Sequence, residues 1–170
     1  MQGLLRKTRF MTNKTTILNI LEAVTDPEIP VLTIADMGIV RDVVVNDDHI
    51  EVIITPTYTG CPAMHAIEVN IKSALQENGF ERVKVSTVLS PAWTTDWLSE
   101  EGKRKLKAYG IAPPAGSADK NALLGEETKV ECPRCGSTNT RMVSQFGSTA
   151  CKALFQCREC LEPFDYFKCH

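Results

Sequence analysis

The sequence has no apolar run long enough to serve as a signal peptide or to cross a membrane. Its first ten residues carry basic side chains but nothing hydrophobic of that length, so the expected place is the cytoplasm, with no membrane partner. A surplus of charge is also missing. The formal net charge is −2, and residues 129–170 hold six Lys/Arg against four Asp/Glu. Neither value builds the basic face that nucleic acid requires. Cysteine is nearly absent from the first 130 residues, where Cys61 stands alone; the other six of the seven follow residue 131. In a cytosolic chain such a distribution argues for metal or thiol chemistry rather than a disulfide framework. What remains is ordinary for a folded protein. With 43% hydrophobic and 24% charged residues over 170 positions, the chain suits one packed domain plus an attachment.

Residues 1–11 read as an N-terminal extension, Met11 offering an alternative start. Ile17, Leu18, Leu21 and Val24 fall at helical spacing behind Thr12 or Asn13 as a cap, which predicts a helix over 14–24, stopped by Asp26-Pro27. The loop Asp26-Pro27-Glu28-Ile29-Pro30 is stiffened by two prolines; its carboxylates either orient something at a site or simply bond nearby backbone N–H groups in a turn. Ile39 to Val45, the turn Asn46-Asp47-Asp48 and the alternation at Ile50, Val52 and Ile54 predict a β-hairpin.

The second strand of that hairpin runs into Thr55-Pro56-Thr57-Tyr58-Thr59-Gly60-Cys61-Pro62-Ala63, where a strand pattern gives way to a helix pattern. Gly60 can take a positive φ, and Pro62 fits the first helical position, which puts Cys61 at the N-cap. Unpaired backbone N–H groups there favour the thiolate, the form that binds metal or attacks an electrophile. Cysteine is equally a small residue that packs well, so a buried inert thiol is the competing reading. Met64, Ile67, Ile71, Ala74 and Leu75 form a core stripe ending at Gly79, with His65 four residues after Cys61 and so either its neighbour or a solvated first-turn histidine. Val83, Val85, Thr87 and Leu89 predict a third strand. Thr94 or Thr95 is expected to cap a further helix that runs from Asp96 and Glu100 to Lys107 and Gly110. Trp93 and Trp97 suit the core or an interface.

Residues 112–128 have linker composition, which divides a domain over 12–111 from a module over 129–170. That module contains Cys132-Pro133-Arg134-Cys135-Gly136 and Cys157-Arg158-Glu159-Cys160, two Cys-x-x-Cys knuckles separated by 21 residues. Each knuckle offers two thiolates from one tight turn, and two facing turns make a tetrahedral S₄ site. About forty residues cannot build a sufficient core alone, so a structural metal is expected at Cys132, Cys135, Cys157 and Cys160. Zinc is the expected ion, although iron also accepts four thiolates. Cys151, Cys169 and His170 are left over. They either form a second site, with Cys61 or with each other, or are free, and the free reading is preferred.

Together, the Asp26-Pro27-Glu28-Ile29-Pro30 loop, the Thr55-to-Pro62 stretch and Ser90-Pro91-Ala92-Trp93 resemble the SufT-like domain associated with iron–sulfur protein maturation. The C-terminal stretches Phe146-Gly147-Ser148-Thr149-Ala150-Cys151-Lys152-Ala153-Leu154 and Glu162-Pro163-Phe164-Asp165-Tyr166-Phe167-Lys168-Cys169-His170 are similar to the PaaD family. This resemblance implies an α+β fold, a small αββαβα domain followed by a mostly β zinc ribbon. It also implies an accessory component of the phenylacetyl-CoA epoxidase, acting on the oxygenase or reductase subunits in aerobic phenylacetate degradation. In the SufT-like family the cysteine matching Cys61 is the proposed iron- or cluster-handling residue, with Asp26, Glu28, Thr57 and His65 as candidate neighbours. The chain has no Glu-x-x-His pairs of a diiron bundle, no dinucleotide fingerprint and no ferredoxin cysteine run, so the oxygenation itself is assigned to other chains. A maturation factor and a non-catalytic interaction subunit both remain open, and so does a homodimer.

Overall fold

A computed structural model describes residues 13–114 and 129–168. The N-terminal extension, most of the expected linker, Cys169 and His170 lie outside the described residues. The first helix, α1, spans Lys14–Leu21 because the Asn13 side chain accepts the Thr16 N–H at 2.8 Å and Ile17 and Leu21 bury one face. It ends three residues earlier than periodicity suggests. Val24 is buried all the same, from a turn, and the Ile34 N–H donates to its carbonyl.

The hairpin consists of β1 (Val40–Val45) and β2 (Ile50–Ile54), antiparallel with Val43 opposite Val52. From β2 the chain passes through the Cys61 loop into α2 (Ala63–Glu77) and returns as β3 (Val83–Thr87), which pairs parallel to β2. The sheet order is therefore β1-β2-β3, with α1 against β1 and α2, and α2 against β3. A parallel neighbour requires a crossover, and α2 is that crossover; Ile67, Ile71 and Leu75 on it are fully buried.

Ser90-Pro91-Ala92-Trp93 anchors the following segment. Trp93 is buried and its indole N–H donates to the Met37 carbonyl at 2.7 Å. Thr94 caps a single 3₁₀ turn at Thr95–Trp97, and the helix proper, α3 (Glu100–Tyr109), is capped by Ser99, whose hydroxyl accepts the Gly102 N–H at 2.8 Å. The cap expected at Thr94 or Thr95 thus serves the short turn. Ser99 competes with that threonine pair because a serine followed by an acidic first turn is an equally good start signal.

The C-terminal sheet has the order β4-β7-β6-β5, from β4 (Ile111–Ala112), β5 (Thr140–Ser144), β6 (Lys152–Cys157) and β7 (Pro163–Phe167). Its own core is small: Phe155 stacks on Phe164 at 6.0 Å and meets Tyr166 edge-on at 5.4 Å. Two features join it to the first half. The short strand β4, from the end of the first half, pairs parallel to β7, so one ladder is built from both. Cys151 and Phe167, on the ribbon side, belong to the core of the first half, where Phe167 meets Trp93 edge-to-face at 6.1 Å.

Candidate functional site

The knuckles converge. The sulfurs of Cys132, Cys135, Cys157 and Cys160 all lie within 4.8 Å of one another, with Cys132 to Cys160 at 3.8 Å and Cys135 to Cys157 at 3.5 Å. Four thiolates about 2.3 Å from a central ion in a tetrahedron stand about 3.8 Å apart, so these residues fit a closed S₄ metal site. Backbone N–H groups converge on the sulfurs, as in the 3.4 Å bond from Glu159 to Cys157. The Cys157 thiol is held down to about 7 by the N–H groups of Cys160 and Glu159. Each knuckle turns with positive φ directly after its second cysteine: Gly136 at +77° in the first and Leu161 at +63° in the second. This is the closed geometry of a structural site, with no position left for a substrate.

The second candidate lies around Cys61. Buried Thr55 and Thr57 follow β2, Gly60 turns at φ +84°, and Cys61 comes next, half-buried. The regular helix starts at Ala63, with Pro62 in the formal capping position and no side-chain cap bond from it. The proline's φ of −67° and ψ of −23° are already helical, as at a first helical position. The Ala63 N–H nevertheless reaches the Cys61 sulfur, and the Tyr58 and Thr57 hydroxyls also donate to it. Those donors do not lower the thiol's pKa on balance. Burial raises the Cys61 pKa and nearby Glu28 raises it further, outweighing those donors. Helix-end reasoning fails here because it counts the N–H groups and not the desolvation around them.

Asp26 accepts the Glu28 and Ile29 N–H groups, both at 2.8 Å, so its turn reading is realised; burial raises its pKa against those bonds. The same turn projects Glu28 toward the thiols. His65 is exposed on α2, and the groups that shift Cys61 most are burial, Ala63, Tyr58, Glu28 and Thr57. Cys151 is a free cysteine, as expected, and is buried with its sulfur 3.7 Å from the Glu28 carboxylate and 3.1 Å from the Thr149 hydroxyl. Burial pushes its pKa up to about 11. The Tyr58 phenol is raised to about 12, by burial and then by Cys61, with Glu28 and Cys151 adding their charges. Two thiols from different halves, a carboxylate and a phenol therefore form one electrostatic neighbourhood. Only the relation between the two sheets brings Cys151 there, and no local pattern encodes that.

Beside Tyr58 opens a cleft of about 390 Å³, lined by Thr55, Thr57, Tyr58, Leu89 and Trp93 among others. The Thr55 hydroxyl is buried there without a hydrogen-bond partner among the described residues.

Residues 14–87 match the family described as "Iron-sulfur cluster assembly protein", and residues 116–168 match the "PaaD zinc beta ribbon domain". A protein of Escherichia coli (strain K12), named as one subunit of a "Putative 1,2-phenylacetyl-CoA epoxidase", is 50% identical over 150 residues, covering 88% of this chain and 89% of that one. The chain belongs to the PaaD family. Its first half has wider relatives: an "Fe-S protein maturation auxiliary factor" of Porphyromonas gingivalis is 32% identical over 99 residues, 57% of this chain and 93% of that protein. Among solved structures, a DUF59 domain of unknown function from Bacillus anthracis superposes with a TM-score of 0.51 at 29% identity, covering 55% of this chain and 90% of that one. In the PaaD family an assembly-type domain and a ribbon thus share one chain, and in this member they share a core as well. Among the described residues no helix is long and apolar enough to cross a membrane.

Proposed function

We propose that this protein is a cytoplasmic accessory component of a bacterial phenylacetyl-CoA epoxidase system, which assists loading of an iron–sulfur or diiron centre into the oxygenase or reductase subunit. Cys61 is the residue that carries iron or a cluster in transit. Zinc is the ribbon's resident metal, held by Cys132, Cys135, Cys157 and Cys160; it closes the S₄ site and supplies no redox chemistry.

The observation that carries this reading is the setting of Cys61. It is half-buried, its sulfur accepts hydrogen bonds from Ala63, Tyr58 and Thr57, and Glu28 stands nearby, all within the part of the chain that matches the iron–sulfur assembly family. A thiol kept protonated when empty releases its proton when a cation arrives, and the same donors then hold the bound thiolate in place. Such a thiol resists idle oxidation yet accepts a metal.

Cys61→Ser tests this, because the hydroxyl keeps the volume and can take the Ala63 N–H, so folding is expected to survive. Cells relying on the variant are expected to assemble the epoxidase system normally but to under-load a metal centre and grow poorly on phenylacetate. Full metal loading and wild-type growth would remove Cys61 from the mechanism.

A second reading, a non-catalytic interaction subunit, is favoured by the free edge of the ribbon. Strand β5 carries exposed Met142 and Val143, and Phe146, just after it, and Leu161, in the second knuckle, are exposed as well. An exposed edge with apolar side chains invites strand addition by a partner. A stable stoichiometric complex that is indifferent to Cys61 would favour this reading.

A further inference from the structure

The parallel strands β2 and β3 end on the same side of their sheet, and the chain leaves them in different directions. After β2 it turns through Thr55 and Thr57 to Cys61 and α2; after β3 it passes Leu89 and Ala92 to the Trp93 anchor. Between these two departing segments lies the cleft of about 390 Å³. The carboxyl ends of parallel strands are where open sheets receive ligands, and pockets for small molecules run from ~300 to ~1,000 Å³. A second observation points to an occupant. Thr55, which lines the cleft, is 1% exposed, and its hydroxyl has no hydrogen-bond partner among the described residues. A buried hydroxyl left unpaired is costly, so one kept beside a cleft calls for a molecule that bonds to it.

The lining sets the chemistry of that molecule. None of the residues around the cleft is charged. A phosphate, carboxylate or ammonium group would give up its water there and gain no counter-charge. Tyr58, Leu89, Ala92 and Trp93 supply aromatic and apolar walls, which favour a flat apolar body. The Thr55 hydroxyl, able to donate or to accept, supplies one buried polar contact. We propose that this cleft binds a small uncharged molecule with an aromatic body and a carbonyl or amide group, the body packed on Leu89, Ala92 and Trp93 and the polar group bonded to the Thr55 hydroxyl. Binding is non-covalent. The inference stands apart from the reading of Cys61 as the iron-carrying thiol. The two sites meet at Tyr58, which lines the cleft and whose hydroxyl donates to the Cys61 sulfur, so a molecule in the cleft packs against one of the groups that hold that thiol.

The test uses the full chain with zinc in the ribbon and two probes of nearly the same shape, uncharged phenylacetamide and anionic phenylacetate. Phenylacetamide is expected to shift the backbone amide NMR signals of Thr55, Thr57, Leu89 and Ala92 saturably, and phenylacetate to bind at least ~10-fold more weakly. Thr55→Val keeps the shape of the side chain and removes the hydroxyl. Because the lost group is unsatisfied in the empty cleft, the variant is expected to melt ~2–12 °C higher without a probe. It is expected to bind phenylacetamide ~2–10-fold more weakly all the same. A hydroxyl kept for structure would give the opposite result in the first measurement, so an unchanged or lower melting temperature in Thr55→Val would overturn the inference. Shifts absent from the cleft's amides, equal affinity for phenylacetate, or undiminished affinity in Thr55→Val would each overturn it as well, and none of these results bears on whether Cys61 carries iron.

Discussion

Phe167 is the best single probe of how the two halves depend on each other. It is fully buried, it belongs by sequence to the ribbon, and its ring packs edge-to-face against Trp93 of the first half at 6.1 Å. Phe167→Ala removes a large apolar side chain from a site that β7 and the Trp93 anchor hold rigid, so little collapse is available to fill the space. Such truncations cost about 3–5 kcal/mol, which already includes the ring–ring contact. At roughly 2–4 °C per kcal/mol for a protein of this size, the melting temperature should fall by about 6–20 °C. Calorimetry gives the magnitude, and Trp93 fluorescence gives the location, since opening the seam wets the indole and shifts its emission to the red. Phe146→Ala is the control: that ring is 59% exposed, and a change within ~0.5 kcal/mol is expected. If Phe167→Ala lost less than ~1 kcal/mol, or melted the ribbon while Trp93 kept its emission, the halves would be separate units and the seam an incidental contact.

A strong chelator should unfold residues after 130, because modules of this size draw roughly 10–16 kcal/mol of apparent stability from their ion, and it should also wet Trp93; elemental analysis finding no metal in the folded chain would contradict this. Leu161→Gly should raise the melting temperature by the equivalent of up to ~1 kcal/mol, since only the second knuckle spends a side chain on a left-handed φ; a lower melting temperature would show that Leu161 contributes packing despite its exposure. Burial alone would raise the Asp36 pKa, but Lys105 at 2.6 Å, the Thr33 N–H and the Ser99 hydroxyl bring it below its ordinary 3.8. A carboxylate lowered in the folded state adds stability above pH ~4 that is lost as pH falls through the folded value. Asp36→Asn should therefore be less stable at neutral pH and show a flatter acid limb, and an unchanged acid limb would refute the assignment.

What the sequence made legible were the features written locally. The Val52 alternation, the Ile67-Ile71-Leu75 stripe, the positive φ at Gly60 and the two knuckles each announce themselves within a few residues. Less visible was the segment from Ile29 to Ile39, which has no period yet buries Ile29, Leu32, Ile34 and Met37, because turns anchored by Asp26 and Asp36 rather than a helix or strand set its direction. Strand β4 was hidden for another reason: two residues carry no pattern, and its partner β7 lies more than fifty positions away. An even longer separation hid the place of Cys151. Its contact with Glu28 spans 123 residues and exists only because Phe167 and β4 hold the ribbon against the first half.

The central claim is that Cys61 carries iron and the ribbon does not. The most direct measurement is the iron and zinc content of the full chain purified without oxygen, wild type beside Cys61→Ser. Zinc retained in both proteins, with iron present in wild type and lost from the variant, is the predicted result. Iron retained in Cys61→Ser, or iron absent from both, would contradict the account.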